Sequence, residues 1–161
     1  MNPCVPREAE IVGRTQESPN TFTLELRLTD GEPYDFSPGQ FNMLYLYGSG
    51  EVPISIVADA EDTGILSHTI RALGRITNGL AALKVGDRIG LRGPYGRGWP
   101  MREAEDRDVV VVTGGLGCAP SVSIIHLRHS HRRRYAHLSI LQGVKPTDDL
   151  IWRRQSDAWA Q

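Results

Sequence analysis

The hydrophobic period of this chain changes once, near Arg107, and few folds accommodate such a change. Before it, apolar side chains recur at alternate positions in short runs; after it, "DVVVVTG" is apolar almost without interruption. Alternation marks strands with one buried face, and an unbroken run marks a strand covered on both faces of a parallel sheet. Two architectures in series are therefore expected, one over residues 1–104 and one over residues 105–161.

The first part reads as six short strands. "TFTLELRL" puts Phe22, Leu24, Leu26 and Leu28 on one face, and "EAEIVGRTQE" partners it across Ser18-Pro19-Asn20. Beyond the Ser37-Pro38-Gly39 corner, "QFNMLYLYG" alternates through Phe41, Met43, Tyr45 and Tyr47, and "VPISIV", "ILSHTIRA" and "DRIGLRG" follow. Pro53 has no amide to offer a ladder, which confines its strand to an edge or a bulge. Thr77 is expected to cap a short helix, "NGLAALK", that shares a Leu80–Leu83 face and stops at Gly86. The predicted fold class is a six-stranded antiparallel Greek-key barrel with one short helix.

After Arg107 the order is strand, helix, strand, helix. Pro120 suits the first turn of "PSVSIIHLRH", "AHLSILQG" is a second buried strand, and Thr147 caps a further helix with Asp148 and Asp149 against its dipole. This order opens a doubly wound α/β domain. Two strands fall short of the usual four to six, so the segment is expected to be an incomplete nucleotide-binding α/β domain, truncated at "DAWAQ".

Composition excludes several classes. A net charge of −1 argues against a nucleic-acid partner, whose phosphates demand a basic excess. Cys4 and Cys118 cannot build a disulfide framework, the start "MNPCVPREAE" lacks signal-peptide character, and no apolar run reaches the ~20 residues of a membrane span. A cytoplasmic location follows by elimination.

Two corners carry candidate chemistry. Gly114, Gly115 and Gly117 separate a buried strand from a helix, a place where a bare backbone can receive phosphate; Pro120 stands where the dinucleotide fingerprint has its third glycine. A tight turn needs glycine for its own sake, so this corner alone leaves both readings open. The second corner joins Ser55, beside Pro53, with Arg71 and the "GRIT" turn at a helix start; a barrel with a bridging helix is the alternative. His126, His129, His131 and Arg132–Arg134 read as a solvated helix end, with no metal site. Cys118 reads as a small buried residue, and Trp99, Trp152 and Trp159 as packing or domain-contact residues.

The order "PGQF", "PIS", "GRIT", "GDRIGLRGPYGRGW", "VVVVTGGLGCAP" resembles the ferredoxin–NADP reductase family. More narrowly it is similar to the flavin subunits of nickel-iron hydrogenases, anaerobic sulfite reductases and dihydroorotate dehydrogenase. The resemblance implies a flavin-dependent oxidoreductase subunit that binds FAD, exchanges hydride with NAD(P), and passes electrons to a hydrogenase or iron–sulfur partner. The alternative is a non-catalytic flavin-binding assembly module. FAD is preferred over FMN because two helix-associated diphosphate sites are readable. Carried onto this chain, Pro53, Ile54, Ser55 and Ile56 lie under the flavin, with Ser55 at its N5 edge. His68, Thr69, Ile70 and Arg71 run past its ribityl and phosphate. Gly74, Ile76 and Thr77 bind its diphosphate, and Gly114, Gly115, Gly117, Cys118, Ala119 and Pro120 receive the nicotinamide dinucleotide. "LQGVKPTDDLIW" resembles the loop and helix that help hold that nucleotide.

Three departures qualify the resemblance. Val52 stands where many members have arginine, so Arg71 and the amides before Thr77 are expected to carry the phosphate charge. Gly143-Val144-Lys145 replaces a common Gly-Ala-Arg. The branch's [2Fe–2S] centre is expected in full-length relatives, but its ligands are absent here.

Overall fold

The structure, a computed structural model, describes residues 5–61, 64–130, 134–143 and 151–152. Six strands are Arg7–Ser18 (β1), Thr21–Leu28 (β2), Phe41–Leu46 (β3), Gly50–Ser55 (β4), Leu66–Arg71 (β5) and Arg88–Tyr95 (β6). They form one antiparallel sheet in the order β4-β3-β6-β1-β2-β5, so β6 returns between β3 and β1 in a Greek-key connection. The helix Arg75–Ala82 (α1) lies on that return.

β2 follows its period: Phe22, Leu24, Leu26 and Leu28 are all buried, together with Ala9 and Ile11 of β1 and Ile89 and Leu91 of β6. Each such side chain contributes roughly 1.5–3 kcal/mol by leaving water. β4 is an edge strand, as Pro53 requires. The two edges, β4 and β5, share no ladder. They meet where the Val57 N–H donates to the Ser67 carbonyl at 2.9 Å. This seam closes the barrel.

β3 departs from the pattern. Its buried residues are Asn42 and Leu44, while Phe41, Met43 and Tyr45 are only half-buried. A polar residue can occupy the inward face because its partners are inside the barrel too: Tyr34 Oη donates to Asn42 Oδ1 at 2.5 Å.

The short helix also begins earlier than its sequence suggests. Its cap is Gly74, and Thr77 sits inside the first turn. The Thr77 hydroxyl accepts the amides of Leu73 and Gly74 at 3.0 and 2.9 Å, reaching backwards where a cap would reach forwards.

The later segment holds strands Val109–Gly114 (β7) and Leu138–Gly143 (β8), paired in parallel, and the helix Ala119–Ser130 (α2) between them. A single 3₁₀ turn, Gly115–Cys118, leads into α2. Burial on both faces does not occur. Val110 and Val112 are 62% and 74% exposed, and Leu141 is 58% exposed. β7 alternates exposed with half-buried positions because, among the described residues, only one face of this two-stranded sheet is covered. The helix expected at Thr147 lies outside the described residues, as do Lys145 and Trp159.

Candidate flavin and nucleotide site

β4 and β5 present alternate residues outward at the seam. Val52 and Ile54 of β4, Thr69 and Arg71 of β5, and Gly74–Thr77 at the start of α1 line a hollow of about 470 Å³. Leu116, from the 3₁₀ turn after β7, completes its lining. The first glycine corner thus opens on this hollow, and the second reaches it through Leu116.

The cationic groups at this hollow are Arg71 and Arg75; the Arg75 guanidinium is engaged with the Ser49 carbonyl at 2.9 Å. Arg71 Nε is buried without a hydrogen-bond partner. Burying a guanidinium N–H unpaired is costly, so such an atom points to a missing acceptor. Of the amides up to Thr77, those of Leu73 and Gly74 are taken by the Thr77 hydroxyl. The first helical bond runs from the Asn78 N–H to the Gly74 carbonyl at 2.8 Å. The amides of Arg75, Ile76 and Thr77 thus lie ahead of the helical ladder, at the positive end of the helix dipole.

The second corner has the same construction. Thr113 Oγ1, on the last turn of β7 before Gly114, is likewise buried without a partner. Among the described residues these are the two buried side-chain polar atoms left unsatisfied, and each stands on the strand that feeds one glycine turn. The glycines at these corners are not held bare by side-chain packing. A Cβ added at Gly74, Gly114 or Gly117 would meet nothing within 4 Å. By contrast, one added at Gly90 or Gly98 would press on neighbouring side chains at 2.9 and 2.7 Å. Gly115 alone needs the left-handed backbone, with φ +51°. Open room, not packing, surrounds the bare backbone here.

Other candidate residues face elsewhere. Ile56, His68 and Ile70 are fully buried in the barrel and do not line the hollow. Pro53 is exposed, and Ser55 is half-buried at the end of β4, opposite Phe41. Cys118 is buried, accepts from Gln142 Nε2 at 3.1 Å, and burial pushes its thiol up to about 11, which makes it a packing residue. Trp99 joins the two segments: its Nε1–H donates to the Pro120 carbonyl at 3.0 Å, and Gly39 donates to Ser123 Oγ at 3.2 Å beside it. Trp152 is buried with Val57, Cys118 and Val122. Sequence reasoning missed Tyr34 and Asn42, because a polar residue inside an alternating run reads as outward-facing.

The architecture is a six-stranded barrel with one short helix, followed by the parallel β7–α2–β8 unit. The family of the oxidoreductase FAD-binding domain matches residues 8–99, and the chain belongs to it. The sulfhydrogenase 1 gamma subunit of Pyrococcus furiosus is 36% identical over 127 residues, 79% of this chain and 44% of that protein. A probable dihydroorotate dehydrogenase B electron transfer subunit of Methanocella arvoryzae is 32% identical over 90% of this chain and 51% of its own length. The ferredoxin NADP+ reductase of Neisseria gonorrhoeae, solved with bound FAD and NADP, superposes with a TM-score of 0.80 at 25% identity, covering 94% of this chain and 62% of that one. The chain spans about half the length of the curated relatives it matches. Among the described residues, no helix is long and apolar enough to cross a membrane.

Proposed function

We propose that this chain is the FAD-holding part of an electron-transfer subunit that takes electrons from NAD(P)H and delivers them to a redox partner subunit, as the names of its relatives suggest. Residues 1–104 form its flavin barrel and residues 105–161 the first part of its nucleotide unit. The observation that carries this reading is the pair of unsatisfied atoms, Arg71 Nε and Thr113 Oγ1, one at each glycine corner.

When bound, the flavin accepts hydride from a nicotinamide and releases electrons singly to an acceptor. Val52 and Ile54 offer it an apolar floor, and the half-buried Ser55 meets its N5 edge. Arg71 supplies the charge that an arginine at position 52 supplies elsewhere, and the amides of Arg75, Ile76 and Thr77 receive diphosphate oxygen. Gly114, Gly115, Gly117, Ala119 and Pro120 receive the dinucleotide, with Thr113 as hydroxyl donor and Cys118 packed behind the turn. A [2Fe–2S] centre does not fit these 161 residues. It takes four thiolates, the chain has two cysteines, and Cys118 is buried and held protonated.

The test is anaerobic mixing of the FAD-loaded protein with NADH or NADPH, followed at the flavin's visible band. Bleaching supports the reading. A loaded protein that neither nucleotide bleaches is a flavin-binding assembly module instead.

A further inference from the structure

The barrel seam is held by a chain of polar groups in which Tyr34 and Asn42 have no role above and His68 acts through its side chain. Asn42 and His68 are fully buried, and Tyr34 nearly so. Tyr34 Oη lies 2.5 Å from Asn42 Oδ1, Asn42 Nδ2 lies 3.3 Å from His68 Nε2, and His68 Nδ1 lies 3.0 Å from the Ser55 carbonyl.

With the ring neutral, proton positions in this chain have one solution. A carbonyl only accepts, so His68 Nδ1 carries the hydrogen and Nε2 is bare. A bare Nε2 accepts, so Asn42 turns its amide nitrogen towards it and its oxygen towards Tyr34, whose hydroxyl donates. Protonating the ring would set two donors against each other unless Asn42 turned its amide over. Each member comes from a different piece of the fold: Tyr34 from the loop before β3, Asn42 from β3, His68 from β5 and Ser55 from β4. β4 and β5 share no ladder, so His68 ties together the two strands whose outward residues face the hollow. Its neighbours Thr69 and Arg71 line that hollow on one side, and Ile54 on the other.

We infer that His68, in its Nδ1–H form, is a positioning residue: it fixes the Ser55 end of β4 against β5 and so sets where the flavin edge rests. The inference deepens the proposed function and rests on Ser55 meeting that edge. Tyr34 and Asn42 hold the ring in the required form, and of the four residues Ser55 is the one that meets the ligand. A misplacement of about 1 Å at a reacting centre can cost ~100-fold in rate, so anchoring Ser55 through its carbonyl has a kinetic consequence.

The experiment has two arms. In the first, the wild-type protein is labelled with ¹⁵N-histidine and the ring nitrogens are read by NMR. The expected result for His68 is a protonated Nδ1 and a bare Nε2. A proton on Nε2 overturns the inference. This arm needs no flavin, so it stands apart from the proposed function, which FAD uptake and bleaching by NAD(P)H judge.

The second arm compares His68→Asn with His68→Gln in FAD-loaded protein. Asn keeps a donor near the Nδ1 position, whereas Gln places its amide near Nε2. The expected outcome is a flavin-reduction rate for His68→Asn within about threefold of wild type, and about tenfold or more slower for His68→Gln, with a shifted visible envelope. Equal rates and equal envelopes for the two variants overturn the inference, because a merely structural role treats the two amides alike.

Discussion

Acid should weaken this fold through His68, by an amount the structure sets. Burial lowers the ring to about 4 from its ordinary 6.5. The folded value lies below the unfolded one, so on acidification the unfolded chain takes up the proton first and is favoured. Stability is complete above pH 6.5, falls as the pH drops, and levels off near pH 4. The fall is about 1.4 kcal/mol per pH unit in the middle of that window, about 2 kcal/mol by pH 5 and about 3 kcal/mol in all. A domain of this size has only ~5–15 kcal/mol to lose. The assay is urea unfolding followed by tryptophan fluorescence at pH 7.5, 6.5, 5.5 and 5.0, on wild type and His68→Asn. Other histidines and the carboxylates titrate in both proteins, so the difference between the curves isolates position 68. Wild type should lose about 2 kcal/mol more than the variant between pH 7.5 and pH 5. Parallel curves would refute a neutral, buried His68.

Two further substitutions separate ligand roles from folding roles. Gly117→Ala adds a Cβ to open space outside the left-handed region, so thermal stability should hold while KM for the nicotinamide dinucleotide rises severalfold; an unchanged KM removes Gly117 from the nucleotide corner. Thr77→Val frees the amides of Leu73 and Gly74, and urea unfolding should show a loss of about 1 kcal/mol, the usual worth of a helix-end hydroxyl. No loss would mean those hydrogen bonds are not made in solution.

Much of the barrel is legible in the residues because its strands keep period two, and Phe22 to Leu28 places an entire inward face. Pro53 similarly places an edge strand by what its nitrogen cannot do. β3 is where alternation misleads. Phe41, Met43 and Tyr45 form the more apolar set, yet Asn42 and Leu44 point inward, since Asn42 finds Tyr34 and His68 eight and twenty-six positions away. Local pattern carries no record of such partners. The valine run of β7 predicts its parallel partner correctly and its burial wrongly, because burial depends on what covers a sheet. At the site, the glycine turns and Arg71 could be read in advance. That Leu116 of the second turn lines the same hollow as Arg71 and Gly74 could not, since it follows from the packing of the two segments.

Whether the hollow between β4, β5 and α1 holds a flavin is decided by equilibrium titration of the flavin-free protein with FAD, wild type beside Arg71→Leu. The substitution removes the unpaired guanidinium and the charge-assisted bond it would make, worth about 1.5–3 kcal/mol. Saturable one-to-one binding by wild type, weakened about 10- to 100-fold in the variant, is the result expected. Absence of FAD binding by the wild-type chain, or equal affinity in both, would contradict the assignment of this hollow as the flavin site.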